Sequence, residues 1–541
     1  MEAAGLTIGV VSLFSSCIQG YEALRAIRDR GKDAAMIACC LEIEEKRLVI
    51  WGHNAGLLDA TCLIPARDLD TVISTLRQVE VITMDTDTLK ARYGLKVDTA
   101  QKDGEDRAPN CYLLGAPELP NQDVQGPQRS KSFRLSVRWL FDRKNFEKLV
   151  EDLRRLNNGL NALLQEGQMT NYRRDFAVMA LQSTSTDNPN TLRVIREAAQ
   201  SAYDNLSQAS GQRLHSLMLQ ASRLPGVQTR YGTAPLIPMS SINILSPNEG
   251  SSRAVGVLGS APVLLEWRRH NCESLDTVSL LLNRAEGLAA LLGRTPKPRS
   301  FRVLDCIGYC HDEAGERIGL IFRLPDQMGG ISETMTLRDL LQSRRQSAVP
   351  LPTLHNRLRL ASTLANGLLQ FHAAKWLHRN FNSANVIIPC TSQHSQDMYL
   401  DQYICGFGYS REESPEALSL PVSISPEELP YQHPDIASNP RQGYNTSFDA
   451  YSLGIVLLEI GYWRPIDSFL KSNYSPLQNR DRLLRHQLSG DLAHRMGQKY
   501  EEATTRLLSG CAYGDQSDEG NRLIRFFQNI VVPIESSLRD E

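Results

Sequence analysis

Apolar positions in the first ninety residues recur at steps of three and four, which is the period of an amphipathic α-helix. This spacing predicts one helix that ends near Arg28 and a second helix from Ile37 to Trp51. Gly52 closes the second helix, and a third covers residues 66–89. Successive helices of this kind indicate an antiparallel bundle. The apolar face of the first helix consists of Leu6, Val10, Leu13, Cys17, Tyr21, Leu24 and Ile27.

The pattern changes over residues 94–130, where proline, glycine, asparagine and aspartate are frequent and periodicity is weak. We interpret this stretch as an exposed loop. Helical spacing then resumes, first in a long amphipathic helix from Leu135 to Leu163 and then in a short helix over residues 171–181. A further helix runs from Leu192 to Leu214.

A cluster of prolines and glycines within residues 223–238 marks the best domain boundary. Short β-type runs follow this boundary and precede a helix-rich end, an order that suits a small sheet lobe and a larger helical lobe. The runs cover residues 254–258, 263–267, 301–310 and 318–322. The predicted regions are a helical bundle at 1–190, a helical brace and linker at 191–238, and an α+β domain at 239–541. The predicted fold class is therefore multidomain, an all-α bundle followed by a bilobal α+β fold.

The net charge and the cysteine content argue against nucleic-acid binding and against a disulfide-stabilised secreted protein. The 541 residues carry a net charge of -2, so no basic field supports nucleic-acid binding. Eleven cysteines, an odd number at irregular spacing, fit reduced thiols of the cytoplasm better than a disulfide framework. Cys306, Cys310 and His311 lie close in sequence, but no second ligand pair follows at the spacing of a zinc site. We therefore predict no metal site.

The N-terminal segment 3–21 contains 19 residues without a charge, close to the length that spans a bilayer. Acidic Glu2 precedes this run and no small-residue cleavage pattern follows it, which argues against a signal peptide. Five polar side chains and three glycines keep its hydrophobicity modest. We interpret it as a helix that is buried or inserted conditionally, rather than as a permanent membrane span.

The second half carries motifs in a fixed order. His378-Arg379-Asn380-Phe381-Asn382-Ser383-Ala384-Asn385 follows a predicted helix and precedes the apolar run 386–388. The string resembles the catalytic loop of protein kinases, H-R-D-L-x-x-x-N. Gly406-Phe407-Gly408 stands where that family has D-F-G, and Asp449 begins a segment that resembles its D-x-W/Y-S-x-G. The resemblance covers about residues 239–541.

The departures from the kinase pattern fall on the residues that perform chemistry. The resemblance implies that the loop aspartate would accept the substrate proton and that the D-F-G aspartate would hold magnesium. Those positions are Asn380 and Gly406 here, and neither an amide nor a glycine can replace a carboxylate in these roles. Glu266, or Trp267 in the neighbouring register, occupies the place of the phosphate-binding lysine, and Asn382 replaces the loop lysine.

We therefore predict a pseudokinase that is not an enzyme and holds no cofactor. The retained residues His378, Phe407, Gly408, Asn385 and Asp449 have structural roles in the family, and Arg379 is a further position of the degenerate motif. Asn385 is the single candidate for nucleotide contact, so weak ATP binding stays open. Two alternatives are a kinase that uses rearranged residues and a chance match, in which His378 and Asn385 are ordinary polar residues of a loop.

The first half resembles the fungal HeLo domain over about 190 residues. The resemblance rests on the small and apolar segment 6–18, on Arg47-Leu48 and on Trp51-Gly52. It implies a helical bundle whose first helix leaves the core and permeabilises membranes in programmed cell death and heterokaryon incompatibility. The alternative is a plain bundle whose first helix is core. The candidate membrane-inserting residues are Leu6, Val10, Leu13, Phe14 and Ile18.

Together these resemblances imply a latent membrane-acting cell-death effector that a pseudokinase holds inactive. The expected partners are membrane lipids after activation, further copies of the chain in a homo-oligomer, and an upstream signalling protein. The expected location is the cytoplasm, with conditional association with the plasma membrane. The alternatives are an active or nucleotide-binding kinase and a signalling scaffold that does not act on membranes.

Overall fold

The structure is a computed structural model in which the chain forms two compact units, Met1–Gly211 and Gln212–Glu541. It describes the chain except residues 1, 26–33, 59–61, 95, 99–137, 141–142, 201, 223–233, 246–251, 271–274, 295–296, 298–299, 326–333, 343–350, 390–395, 414–424, 440–442, 487, 515–520 and 540–541. Most of the predicted boundary at 223–238 lies outside the described residues.

The first unit is helical with one short pair of strands. Its elements are α1 (Glu2–Arg25), α2 (Ala34–Asn54), α3 (Leu69–Met84), α4 (Thr86–Tyr93), β1 (Lys96–Asp98), β2 (Arg138–Leu140), α5 (Arg143–Asn161), α6 (Glu166–Ser183), α7 (Pro189–Ala199) and α8 (Asp204–Ser222). The boundary between the two units falls inside α8.

The predicted third helix is two helices, because Asp85 interrupts it. Asp85 has an extended backbone, and its carboxylate accepts hydrogen bonds from the Asp87 amide at 3.2 Å and the Thr88 hydroxyl at 2.6 Å. An aspartate at this position caps a new helix instead of continuing the old one. The helix predicted from Leu192 to Leu214 is also divided, into α7 and α8.

Other boundaries differ from the prediction where tertiary pairing decides. The antiparallel pair of β1 and β2 places Leu140 in a strand, so the long helix begins only at Arg143. The predicted loop at 94–130 is wrong at 96–98, which form β1, and its residues 99–130 lie outside the described residues. The helix predicted at 171–181 is longer and begins at Glu166, and Gly52 lies inside α2 rather than after it.

Helix α1 packs tightly against α2 and α3. Phe14 and Tyr21 are almost fully buried, and the Cys17 thiol donates to the Leu76 carbonyl at 3.2 Å. Two glycines permit this approach. A Cβ at Gly52 would meet the Phe14 ring, and a Cβ at Gly20 would lie 2.6 Å from the Thr83 Cβ. The described apolar residues of α1, from Val10 to Leu24, are thus part of the core.

Across the described part of the chain, no helix combines the length and apolar character needed to cross a membrane.

A buried polar network reinforces the core of this unit. Glu44 on α2 is fully buried and accepts hydrogen bonds from Arg47 at 3.0 Å, Arg154 at 3.1 Å and Asn157 at 3.0 Å. Arg47 continues the network to the Asn158 side chain at 2.7 Å. Because a buried carboxylate without partners is very costly, these contacts fix α2 and α5 in one register.

The second unit combines a five-stranded sheet with a helical region. Its elements are β3 (Ile242–Ile244), β4 (Arg253–Leu258), β5 (Ala261–Arg269), α9 (Leu275–Leu292), β6 (Asp305–Asp312), β7 (Arg317–Arg323), β8 (Thr334–Thr336), α10 (Leu337–Gln342), α11 (Leu354–Ala373), β9 (Trp376–Leu377), β10 (Val386–Pro389), β11 (Tyr403–Ile404), β12 (Arg411–Glu412), α12 (Pro434–Ser438), α13 (Thr446–Tyr462), α14 (Pro476–His486), α15 (Asp491–Met496), α16 (Gln498–Leu508), α17 (Arg522–Phe526), a π-helical segment (Phe527–Val531) and α18 (Val532–Arg539).

The large sheet is antiparallel with strand order β3-β4-β5-β7-β6, and α9 packs against β6 and β7. The strand predicted at 301–310 begins only at Asp305. Helix α13 is buried along nearly its whole length and contacts α11, α15 and α16. The five-stranded sheet and the buried helix α13 are therefore the two elements that position the loops 378–385 and 406–408.

We predict that Gly20→Ala destabilises the first unit while Gly9→Ala on the same helix does not. The Gly20 methyl would collide with Thr83, whereas a Cβ at exposed Gly9 meets nothing within 4 Å. Overpacking of this kind costs about 1–3 kcal/mol, and replacing an exposed helical glycine stabilises by about 1 kcal/mol. Hydrogen exchange of the α1 amides in the full chain measures both effects. Equal exchange in the two variants would contradict the close packing.

Candidate functional site

The loop 378–385 is held by its own side chains and by α13. The buried His378 ring uses both nitrogens, since Nε2–H donates to the Cys405 carbonyl at 3.0 Å and Nδ1 accepts from the Asn380 amide at 3.3 Å. The Asn382 side chain accepts from the Asn385 amide at 3.1 Å and begins a 3₁₀ turn. These bonds require a neutral His378 imidazole. Burial lowers the pKa of His378 to about 4, in agreement with that state.

Asp449, in the first turn of α13, anchors the start of this loop. Its carboxylate accepts from the backbone amides of His378 and Arg379, both at 2.8 Å, from the Tyr444 hydroxyl at 2.8 Å and from His372 Nε2 at 3.1 Å. Burial alone would raise the pKa of Asp449, but the hydrogen bond and charge of His372 hold it below its usual value. Arg379 has a φ of 68°, a backbone conformation that this anchoring maintains.

Glu266 on β5 connects the sheet to the segment 406–408. The residue is 3% exposed, and its two carboxylate oxygens accept from the Gly406 amide at 2.7 Å and the Phe407 amide at 3.0 Å. Arg253 on β4 lies directly opposite Glu266 in the strand register and donates to it at 3.2 Å. At the position on β5 where kinases have the phosphate-binding lysine, this chain thus has the carboxylate of Glu266, which is paired with Arg253.

Arg253 extends the same network to the loop. It donates to the Ala384 carbonyl at 2.7 Å and to the side-chain oxygen of Asn385. The side-chain nitrogen of Asn385 in turn donates to the backbone carbonyl of Asn380 at 2.6 Å. The structure therefore brings together four of the predicted positions, Glu266, Asn380, Asn385 and Gly406, through a residue that the sequence analysis missed.

The residues at the two positions where the kinase pattern has its aspartates, Asn380 and Gly406, fit their surroundings. Gly406 has a φ of 86°. A Cβ at this position would lie 2.6 Å from the side-chain oxygen of Asn385 and closer still to its side-chain nitrogen. An aspartate at this position would therefore displace Asn385. Asn380 donates to the Glu428 carboxylate at 3.0 Å, and its own side-chain oxygen accepts from Asn382 at 2.9 Å.

Phe407 and Gly408 complete the segment beside Glu266. The Phe407 ring is 1% exposed and packs against the rings of Phe322, Phe371 and His378. The Gly408 carbonyl accepts from Arg268 at 3.0 Å. This segment is fixed by an aromatic core on one side and by charged side chains of the sheet on the other.

The candidate membrane residues lie on α1 of the other unit. Val10, Phe14 and Ile18 are buried and Leu13 is partly buried, while the side chain of Leu6 lies outside the described residues. Ser12 and Ser15 are exposed on the opposite face, as the helical phase predicts. The exposed face of α1 between Gly9 and Ala23 carries one charge, Glu22.

The DUF7580 family, described as a domain of unknown function, matches residues 190–540. The chain belongs to this family. Residues 3–192 match the HeLo family, described as prion-inhibition and propagation, which confirms the predicted HeLo domain and implies fungal cell-death or incompatibility signalling. No curated protein matches the chain.

The DUF7580 domain also gathers positive charge near its Glu266 network. Burial and the neighbouring guanidinium groups of Arg268, Arg379 and Arg411 lower the pKa of Arg284 to about 10. Arg284 lies on α9, and Arg268 follows Glu266 on β5. Of these four arginines only Arg379 was a predicted motif position, whereas Arg268, Arg284 and Arg411 were not predicted from sequence.

Within the described part of the DUF7580 domain, Cys306 and Cys310 are buried in β6, and burial raises the pKa of both thiols to about 12. The described residues contain no group of three or more histidine, cysteine, aspartate or glutamate side chains suited to a metal ion.

One sequence signal could have revealed Arg253. It is a charged residue at the start of an otherwise apolar β-strand, and Glu266 is a charged residue in the middle of the next. A short turn at 259–260 joins the two strands, so the hairpin register places them opposite each other. The pairing of Arg253 with Glu266 across this hairpin could therefore have been predicted from the sequence.

We predict that the His378 imidazole stays neutral from pH 7 down to about pH 5 in the full chain. Its folded pKa of about 4 lies below the ordinary 6.5, so its contribution to stability is complete above 6.5 and lost as the pH falls through 4. The difference corresponds to about 3 kcal/mol. Nitrogen NMR of histidine side chains, with the signal assigned by its loss in His378→Gln, measures the titration. A midpoint near 6.5 would contradict the buried neutral ring.

Proposed function

We propose that the chain is a latent effector of fungal cell-death or incompatibility signalling whose HeLo domain acts on membranes after release. The observation that carries the proposal is helix α1 within the HeLo match. Its segment 3–21 has no charge, the described part of its apolar face from Val10 on is buried, and the outer positions Ser12 and Ser15 are small and weakly polar. Such a helix can enter lipid once it leaves the core.

In this proposal the DUF7580 domain is a pseudokinase with a bilobal kinase-like fold that holds the HeLo domain inactive. A five-stranded antiparallel sheet followed by a helical region supports it, as do the loop 378–385 and its anchor Asp449 in the motif order of kinases. The occupied positions support the loss of catalysis. Glu266 engages two backbone amides, and Asn380 engages Glu428.

The protein would reside in the cytoplasm and reach the plasma membrane on activation as a homo-oligomer. An upstream signalling protein would supply the trigger. No cofactor is part of this proposal.

A signalling scaffold is the second candidate, and the packing of α1 favours it. Val10, Cys17 and Tyr21 are fully buried, and Gly20 and Gly52 allow close contacts that release would break. In that case the HeLo domain would bind partners through its surface and α1 would stay in place. An active or nucleotide-binding kinase is the third candidate, which would require ATP to displace the Arg253 network.

We predict no magnesium-dependent phosphoryl transfer by the purified full chain, and none after Asn380→Asp. The carboxylate restored there would still face Glu428, Gly406 would still provide no metal ligand, and Glu266 would still stand where a lysine is needed. Labelled-phosphate incorporation into generic substrates measures activity, and thermal shift with ATP and magnesium measures binding. Incorporation that Asn385→Ala abolishes, or a stabilisation of several degrees by ATP, would favour the kinase.

The membrane proposal predicts that Ser12→Lys abolishes leakage of liposomes and toxicity on expression while leaving folding nearly unchanged. Ser12 is exposed in the bundle, where substitutions usually change stability by less than about 0.5 kcal/mol. After insertion the lysine would lie in lipid, at a cost of about 2.5–3.5 kcal/mol near the bilayer centre.

Gln78→Lys is the matched control, because Gln78 is exposed on the neighbouring helix α3 and the substitution adds the same positive charge as Ser12→Lys. We expect it to leave leakage intact. If leakage survives Ser12→Lys combined with Ser15→Lys, with an unaltered melting curve, α1 does not insert. If the unmodified protein and its isolated HeLo segment never cause leakage, the scaffold is favoured.

A further inference from the structure

Two charged residues of the large sheet connect it to two separate stretches of the helical region. Glu266 contacts the backbone of Gly406 and Phe407, and Arg253 contacts Ala384 and Asn385. The two side chains are also paired with each other across β4 and β5. One ion pair therefore joins the sheet to both the loop 378–385 and the segment 406–408.

The environment makes this ion pair a strong constraint. The side chain of Glu266 is 3% exposed and that of Arg253 is 17% exposed. Removing one partner of such a pair leaves the other charge buried without compensation, which is much more costly than losing a surface contact. The sheet and the loops consequently have one favoured arrangement, in which both charges stay paired.

The polar groups between the sheet and the loops are engaged with one another. Both oxygens of Glu266 accept from backbone amides, and the side chain of Asn385 accepts from Arg253 while it donates to Asn380. A polar ligand that entered here would first have to break these bonds. The chain itself thus supplies hydrogen-bond partners for these polar groups when the sheet is closed onto the loops.

We propose that the Arg253–Glu266 pair is an internal lock that closes the sheet onto the loops without any ligand. Arg253 acts as the bridging group, because its planar guanidinium reaches a carboxylate, a carbonyl and an amide oxygen together. The lock is a property of the DUF7580 domain and does not depend on membrane activity. Breaking it frees the sheet from the segment 406–408 while each part keeps its own core.

The test compares the full chain with Arg253→Met, Glu266→Gln and the double variant. Arg317→Met is the matched control, since the interactions that the structure describes for its side chain, a 2.7 Å ion pair with Asp312 and a position over the Trp267 ring, lie within the same sheet. The readout is hydrogen exchange of the Gly406 and Phe407 amides, which donate to Glu266. We expect exchange there to rise by at least about tenfold in Arg253→Met and to stay unchanged in Arg317→Met.

The thermal midpoint provides the second readout. The double variant removes both charges, so its midpoint should lie above that of Arg253→Met, which leaves Glu266 buried and unpaired. If the losses of the two single variants simply add in the double variant, the residues act independently and the lock is refuted. Unchanged exchange at Gly406 and Phe407 in Arg253→Met would refute it equally.

Arg253→Lys covers the case in which Arg253→Met does not fold. Lysine keeps the charge but cannot bridge three acceptors in one plane, so the lock predicts faster exchange at Gly406 and Phe407 in a folded protein. Exchange identical to that of the unmodified chain would show that charge alone suffices and that Arg253 does not bridge.

Discussion

The burial of the Glu266 carboxylate is the constraint on which the second unit depends. A carboxylate at 3% exposure needs several donors, and it obtains them from the Gly406 and Phe407 backbone and from Arg253. These donors lie on two different parts of the fold, the segment 406–408 and strand β4. Satisfying one charge therefore sets the position of β4, of β5 and of the segment 406–408 at the same time.

The substitutions at the kinase-like positions are consistent with this constraint. Because Gly406 has no side chain, Asn385 can approach it and still accept from Arg253. Because Asn380 carries an amide, it can donate to Glu428 as a carboxylate could not. The residues at the positions that resemble kinase catalytic residues are thus held by hydrogen bonds within the domain, Asn380 to Glu428 and Gly406 to Glu266.

The first unit follows the same principle with a different carboxylate. Glu44 is fully buried and accepts from Arg47, Arg154 and Asn157, which belong to α2 and α5. Helix α1, by contrast, is held mainly by apolar packing and by the close approach at Gly20 and Gly52. Van der Waals contacts of this kind can be exchanged for lipid at a lower cost than a buried charge network could be.

The sequence by itself determined the helices with strong periodicity, the β-runs and the ordered motifs, because these depend on local spacing. The apolar face of α1 and the exposure of Ser12 and Ser15 followed from helical phase alone. The break at Asp85 and the Arg253 partner of Glu266 have local sequence signals, a capping aspartate and a tight hairpin, whereas the pairing of β1 with β2 and the contact of Glu266 with the Gly406 and Phe407 amides were decided by tertiary structure. Strand pairing of β1 with β2 joins residues about forty positions apart in the chain, which no local pattern specifies. The role of Glu266 also depended on the Gly406 and Phe407 amides, which lie about 140 residues away in sequence and are brought to it only by the fold, so no local pattern contains that information.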